Sequence, residues 1–313
     1  AGGHINVEVI TNAEILDLAG EPGNMTAKIL KKARYVDLTK CTGCAECAKA
    51  CPIETPNEFN MGIDFRKVTY KPYAQAYPNA FAISKLDQSP CTVTCPAHVN
   101  AHGYVSLAAR GQYKEALELI LDVLPLPGVL GRVCAHPCEG ECRRGQVDQP
   151  LAIKDIKRLV ADRFDIGQAE ITVEDEKPEK TAIIGAGPAG LSLAYHLARK
   201  GYKSTIFEAL PVPGGMLRVG IPDYRLPPEI LNKEVEFITG LGVEIKYNTA
   251  LGRDVTVDGL FEQGYKAVFL AMGCHGSRKL GVEGEDAAGI IPVTTFLRDA
   301  ALGNPPALGQ KVV

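Results

Sequence analysis

Long hydrophobic runs are missing from this 313-residue sequence. Nowhere do the ~20 unbroken apolar residues of a membrane helix occur, so no membrane span is expected. An excess of one charge is missing too: the net charge of -3 gives no reason to expect nucleic acid or an anionic membrane surface as a partner. No internal repeat, low-complexity tract or secretory leader is legible. The sequence opens Ala1-Gly2-Gly3 without Met and closes Gln310-Lys311-Val312-Val313, in the manner of a strand just starting. It reads as an excerpt from a longer chain. With 46% hydrophobic and 23% charged residues, the composition is that of an ordinary globular protein, and the length suits two or three domains.

Cysteine is what the sequence has in excess. Ten are present, and nine fall in two tight groups. Secreted disulfide scaffolds are short and loop-rich, whereas closely spaced cysteines in a longer chain point to metal and to a reducing, cytoplasmic setting. The first group, Cys41-Thr42-Gly43-Cys44-Ala45-Glu46-Cys47 continuing to Cys51-Pro52, is the C-x-x-C-x-x-C-x-x-x-C-P run of bacterial ferredoxins. Its spacing wraps thiolates around one 4Fe-4S cube, and the proline ends the loop. In two-cluster ferredoxins the fourth cysteine serves the other cluster. Only one such run exists here, so all four are assigned to a single cluster. Zinc is the rival, but its sites usually show two separated C-x-x-C pairs.

The second group consists of Cys91 and Cys95 on one side of a helical stretch and Cys134, Cys138 and Cys142 on the other. Five thiols are enough for one more 4Fe-4S cluster with one to spare, and too few for two; a site that has lost its cluster and kept some cysteines is the alternative reading. Cys274 stands alone and is expected to be a small buried residue. His98, His102 and His136 are expected to be hydrogen-bonded loop residues rather than ligands.

A dinucleotide fingerprint begins at residue 181. The apolar run Thr181-Ala182-Ile183-Ile184 leads into Gly185-Ala186-Gly187-Pro188-Ala189-Gly190, then a helix over 191–200, then Ser204-Thr205-Ile206-Phe207 ending at Glu208. Gly185 permits the tight turn, Gly187 lets the backbone approach a pyrophosphate, and Gly190 lets helix and strand pack closely. The helix N-terminus then points free N–H groups at the phosphates. Glu208 sits where a carboxylate accepts ribose hydroxyls. The double glycine in Pro213-Gly214-Gly215-Met216 allows close passage beside a ribityl or isoalloxazine group, which favours FAD over NAD.

The organisation follows from composition shifts. Residues 1–36 read as a small antiparallel meander, part of a longer upstream domain, and 37–90 as a ferredoxin-like segment ending in an extended linker from residue 71. Residues 91–168 are mostly helical, with apolar periodicity over 113–123 and 153–164. After an acidic, lysine-rich boundary, 181–308 form an α/β domain. The expected fold class is therefore an α/β Rossmann-like FAD domain, preceded by an α-helical iron–sulfur domain and a small ferredoxin-like α+β segment.

Two resemblances cover nearly the whole chain. Residues 91–313 resemble the small chain of NADPH-dependent glutamate synthase and its relatives. The matching pieces are Cys95-Pro96, Gly131-Arg132-Val133-Cys134, Cys138-Glu139-Gly140-Glu141-Cys142, the glycine fingerprint, and Gly214-Gly215-Met216-Leu217-Arg218 leading to Gly220-Ile221-Pro222. Residues 1–90 resemble the iron–sulfur insert of the heterodisulfide-reductase-A family, through Lys40-Cys41-Thr42-Gly43-Cys44 and Pro56-Asn57-Glu58-Phe59.

Together they imply an FAD- and 4Fe-4S-dependent oxidoreductase linked to NAD(P)H and to partner electron-transfer subunits. Gly215 and Met216 would then line the flavin, Leu251 would lie near the adenine, and the apolar run ending at Gly273 would close the site. Two departures stand out: Leu130 replaces a frequent family cysteine, and a cysteine pair that precedes Cys91 in the glutamate synthase chain is absent. In the family a nicotinamide-binding unit begins where residues 309–313 stand. No second glycine fingerprint precedes the end, so the NAD(P)H site is expected outside this chain. An electron-relay subunit without nicotinamide is the alternative, and a glutamate synthase small chain proper is a further one. No side chain is named as an acid–base catalyst.

Overall fold

Pro22-Gly23 turns the first apolar–polar run back on itself, with Gly23 at φ +94°. The computed structural model describes residues 4–85 and 88–311. In it, β1 (Ala13–Glu21) and β2 (Asn24–Lys31) form an antiparallel hairpin with a bulge between Ile15 and Asp17. The stretch 5–10 joins no strand, so the expected meander is a two-stranded hairpin: alternation alone makes no strand without a partner edge. A single short helix, α1 (Glu46–Lys49), lies inside the first cysteine loop. It is followed by the antiparallel pair β3 (Glu54–Pro56) and β4 (Phe65–Lys67) and the pair β5 (Thr69–Tyr70) and β6 (Ala82–Ile83).

The pairing of β6 corrects the reading of 71–90 as a plain extended linker. Ala80, Phe81 and Ala82 are buried, and Lys71 Nζ donates to Asn79 Oδ1 at 2.8 Å. Leu86 and Asp87 lie outside the described residues, as do Ala1 to Gly3, Val312 and Val313.

The chain divides into two compact units: Ala1–Gln88 with Arg143–Gln149, and Ser89–Cys142 with Pro150–Val313. The second unit opens with six helices: α2 (Pro90–Val93), α3 (Ala101–Ala109), α4 (Tyr113–Leu121), α5 (Pro127–Val133), α6 (Pro137–Gly140) and α7 (Ile153–Arg163). Apolar residues at helical spacing on α4 and α7 bury Leu117, Ile120, Leu121, Ile153 and Val160 around Tyr104. From residue 177, short apolar strands alternate with helices, a pattern that builds a parallel sheet with helices on its faces. β7 (Lys177–Ile184), α8 (Pro188–Arg199), β8 (Tyr202–Phe207), α9 (Met216–Val219), α10 (Pro228–Gly240), β9 (Glu244–Lys246), α11 (Val257–Glu262) and β10 (Ala267–Leu270) follow in turn, and α12 (Val293–Ala301) comes last. The sheet is all parallel in the order β10-β7-β8-β9. Strand order therefore reverses beside β7, and a crevice opens above the ends of β7 and β10.

Helical and α/β parts share one core. Leu126 and Val129 of α5 pack with Leu191, Tyr195, Leu231 and Val235, and Tyr195 Oη donates to Leu121 O at 2.8 Å. Glu234 of α10 is 3% exposed and accepts from the backbone N–H groups of Gly128 and Val129, capping α5 from across the interface. Burial pushes its carboxyl up to about 8, against the pull of those two N–H groups and Arg132. An unfolded glutamate ionises near 4.5, so between 4.5 and about 8 the folded chain holds a proton that the unfolded chain has lost. Stability from this group is thus complete below the lower value and falls as pH rises through the upper one. Denaturation of the parent should show a loss on the order of 3–5 kcal/mol across that window, and Glu234→Gln should flatten the slope. Equal slopes in the two proteins would refute the assignment.

No helix among the described residues is long and apolar enough to cross a membrane.

Candidate functional site

The turn after β7 is dictated by crowding. Gly185 has φ +108°, and a Cβ there would stand 2.5 Å from Ala271 O, because β7 is flanked on both sides by strands. Gly185 N donates to Phe207 O and Ala271 N donates to Ile184 O, each at 2.8 Å. A Cβ on Gly190 would meet Gly185 O at 2.0 Å, so α8 rests directly on the turn. Opposite, Gly214 N donates to Ala186 O at 2.8 Å, and a Cβ on Gly215 would reach 2.9 Å from Gly187 Cα. Two glycine loops thus face each other with nothing but backbone between them.

Glu208, at the end of β8, ties this together. It is 6% exposed; Oε2 accepts from Ala186 N at 2.7 Å and Oε1 from Leu210 N at 2.8 Å. Each carboxylate oxygen has a second lone pair, which leaves capacity for ribose hydroxyls.

Above these loops lies a cavity of about 650 Å³, of cofactor size. Its walls include Gly185, Gly187, Pro188, Ala189, Glu208, Gly215, Met216, Leu251 and Gly273. Ala186 and Gly190 do not line it: both are buried, and they shape the cradle from behind. Thr249, Ala250, His275 and Arg298 also line it and were not singled out from sequence. Thr249 and Ala250 follow β9, and ligands of open α/β sheets gather beyond strand ends, so strand assignment would have found them. Nothing local to the sequence marks His275 or Arg298. Cys274 is exposed rather than buried, because the chain leaves the sheet at Gly273, φ +64°. The donor-rich glycine cradle and the apolar wall fit a dinucleotide with an aromatic ring system.

The first thiol group sits on a loop bent by two positive-φ residues, Gly43 at +74° and Ala45 at +68°. Cys44 and Cys47 are exposed, Cys41 and Cys51 half-buried, and all are free thiols. The Glu46 N–H and the Thr42 side chain hold the Cys44 thiol below its usual range. Burial pushes Cys51 up, but hydrogen bonds at Ile53 and Thr69 outweigh it and the net shift is downward. The thiolate is the ligand form, so both shifts favour metal. Asn79 closes over the loop: a Cβ on Gly43 would lie 2.7 Å from its Oδ1. Among the described residues, no three Cys, His, Asp or Glu side chains close around a single ion.

In the second group, α2 packs against α6, and Cys91, Cys95, Cys138 and Cys142 abut the core around Tyr104. Burial holds the Tyr104 hydroxyl against ionisation, and the charges of Cys138, Cys91, Cys95 and Cys134 add to that; its Oη donates to Ile153 O at 3.1 Å. Cys134 Sγ accepts from His136 N at 3.3 Å. His136 Nδ1 pairs with Glu139 at 3.3 Å, and His98 Nδ1 lies 3.3 Å from Thr92 O.

A glycine-cradled crevice at a strand-order switch, preceded by two sets of clustered free thiols, defines an iron–sulfur flavoprotein. Residues 179–313 match the family of pyridine nucleotide-disulphide oxidoreductases, 63–168 match dihydropyrimidine dehydrogenase domain II, 4Fe-4S cluster, and 34–56 match the 4Fe-4S binding domain. The matched models thus describe 4Fe-4S segments joined to such a domain, and the chain is similar to oxidoreductase subunits. It is 48% identical over 272 residues to NADP(+)-dependent formate dehydrogenase subunit beta of Moorella thermoacetica, covering 79% of this chain and 36% of that one. It is 44% identical to NADPH-Fe(3+) oxidoreductase subunit beta of Geobacter sulfurreducens, over 72% of this chain and 34% of that one. Glutamate synthase [NADPH] small chain of Escherichia coli is 37% identical over 75% of this chain and 51% of its own. The chain therefore spans about a third to a half of the length of these relatives.

Proposed function

We propose that this chain is the electron-transfer segment of an NAD(P)H-linked oxidoreductase that serves a partner subunit. One observation carries the reading: two helices packed end to side, α5 and α10, connect the two candidate sites of the second unit. α5 ends at Cys134, while Glu234 of α10 caps its other end. Leu231, one turn earlier on α10, lies where a Cβ on Gly214 would touch it at 2.5 Å. Thiol set and flavin cradle are therefore joined through one packed helix pair, as transfer between fixed centres requires.

FAD exchanges two electrons with nicotinamide and single electrons with iron–sulfur clusters, and the protein contributes position and electrostatics. Gly185, Gly187 and Gly215 would admit the diphosphate, Glu208 the ribose, and Met216 and Gly273 the ring system. Cys41, Cys44, Cys47 and Cys51 would hold one cluster. Four of Cys91, Cys95, Cys134, Cys138 and Cys142 would hold another, with one spare. The nicotinamide is assigned to none of the described residues. Relatives named as beta subunits or small chains support a partner subunit as acceptor.

Anaerobic full-length protein should contain FAD and two clusters' worth of iron and sulfide, and NADPH or NADH should bleach first the flavin and then the cluster absorbance. Full cofactor content with no response to either nicotinamide would favour a relay without its own substrate. Protein without flavin would overturn the proposal.

A further inference from the structure

Helix α12 brings a late segment of the chain back to the crevice. It packs against α9, which starts at Met216, directly after the Gly215 that stands opposite Gly187. Arg298, in the last turn of α12, lines the cavity. Its side chain is 33% exposed, and its Nε donates to Asp299 Oδ1 at 3.0 Å. Among the described residues its two terminal nitrogens make no hydrogen bond, and no other lysine or arginine lines the cavity. The cavity wall already carries one carboxylate, that of Glu208. A diphosphate adds two negative charges beside it, and like charges in a partly enclosed site repel unless a cation lies between or near them. The glycine cradle offers backbone N–H groups only, and α8 begins with Pro188, which has none.

We propose that Arg298 holds the FAD diphosphate together with the glycine cradle, supplying the positive charge that the cradle lacks. This rests on the flavin assignment above. A guanidinium is a planar fork with a fixed charge, and its paired N–H groups match two phosphate oxygens. Asp299 occupies Nε alone, so it steadies the fork and leaves the terminal nitrogens for the ligand. The contact joins α12 to the cradle through the cofactor, across a stretch of sequence too long for any local motif to announce it.

The test uses flavin-stripped full-length protein. FAD affinity is read from flavin fluorescence, and ADP and adenosine are added as competitors, so that only the FAD site is seen. Arg298→Gln should weaken FAD and ADP by the same factor, roughly tenfold or more, and leave adenosine unchanged. Arg298→Lys keeps the charge and should recover most of the loss. The unfolding midpoints of the stripped variants should match that of the stripped parent. Weakened FAD with unchanged ADP would move the contact to the flavin and overturn the inference. Equal weakening of all three ligands, or of none, overturns it too, as does a lysine variant no better than glutamine. If the stripped parent itself fails to take up FAD, the flavin assignment has failed, not the role of Arg298 alone.

Discussion

Replacing Gly187 by valine should leave the fold standing and remove the flavin. Gly187 has φ -77° and ψ -178°, extended backbone that any residue adopts. A Cβ there finds only Gly215 Cα, at 3.9 Å, yet the residue lines the cavity. The added side chain therefore takes space from the ligand and not from the protein. Flavin per chain should fall at least roughly tenfold, equivalent to ~1.4 kcal/mol or more of lost binding. The unfolding midpoint of flavin-stripped variant should match that of flavin-stripped parent. Gly190→Val is the contrasting case. Its Cβ would stand 2.0 Å from Gly185 O and 3.1 Å from Ile183 Cγ2, forcing α8 off the sheet, so fold and flavin should be lost together. A Gly187→Val protein with parental flavin absorbance would take the diphosphate out of this cradle.

Cys44→Ser should cost roughly four iron and four sulfide per chain while flavin and the helical cluster's signal persist. The Cys44 side chain is exposed, so the exchange disturbs little packing. What changes is the ligand: a hydroxyl replaces the soft thiolate that iron–sulfur clusters select. Cys274→Ser makes the comparison fair, since Cys274 is also exposed and belongs to neither group. Its iron content should equal the parent's. Unchanged iron in Cys44→Ser would remove the ferredoxin-like loop from the electron path.

The most legible features were those in which chemistry is confined to a few neighbouring residues. A turn with φ +108° under Ala271 O admits glycine only, so Gly185 marks itself in the sequence. The four cysteines between residues 41 and 51 are visible as ferredoxin-like spacing. Helices α4 and α7 were visible because apolar residues recur where one face meets the core. Legibility failed where the deciding contact comes from far along the chain. Asn79 closing over Gly43 turned a supposed linker into part of the thiol loop's housing. The stretch 5–10 alternates like a strand but has no edge to pair with.

Residue identity therefore announced the cofactor chemistry: glycines where backbone must approach backbone, and thiols at iron–sulfur intervals. Spatial packing alone revealed that Glu234 caps α5 across 105 residues of sequence and that Ala186 and Gly190 work from behind the cradle. The reason is physical. Short-range backbone geometry restricts which residue types are possible at a position, whereas burial and charge pairing depend on which distant segments the core brings together.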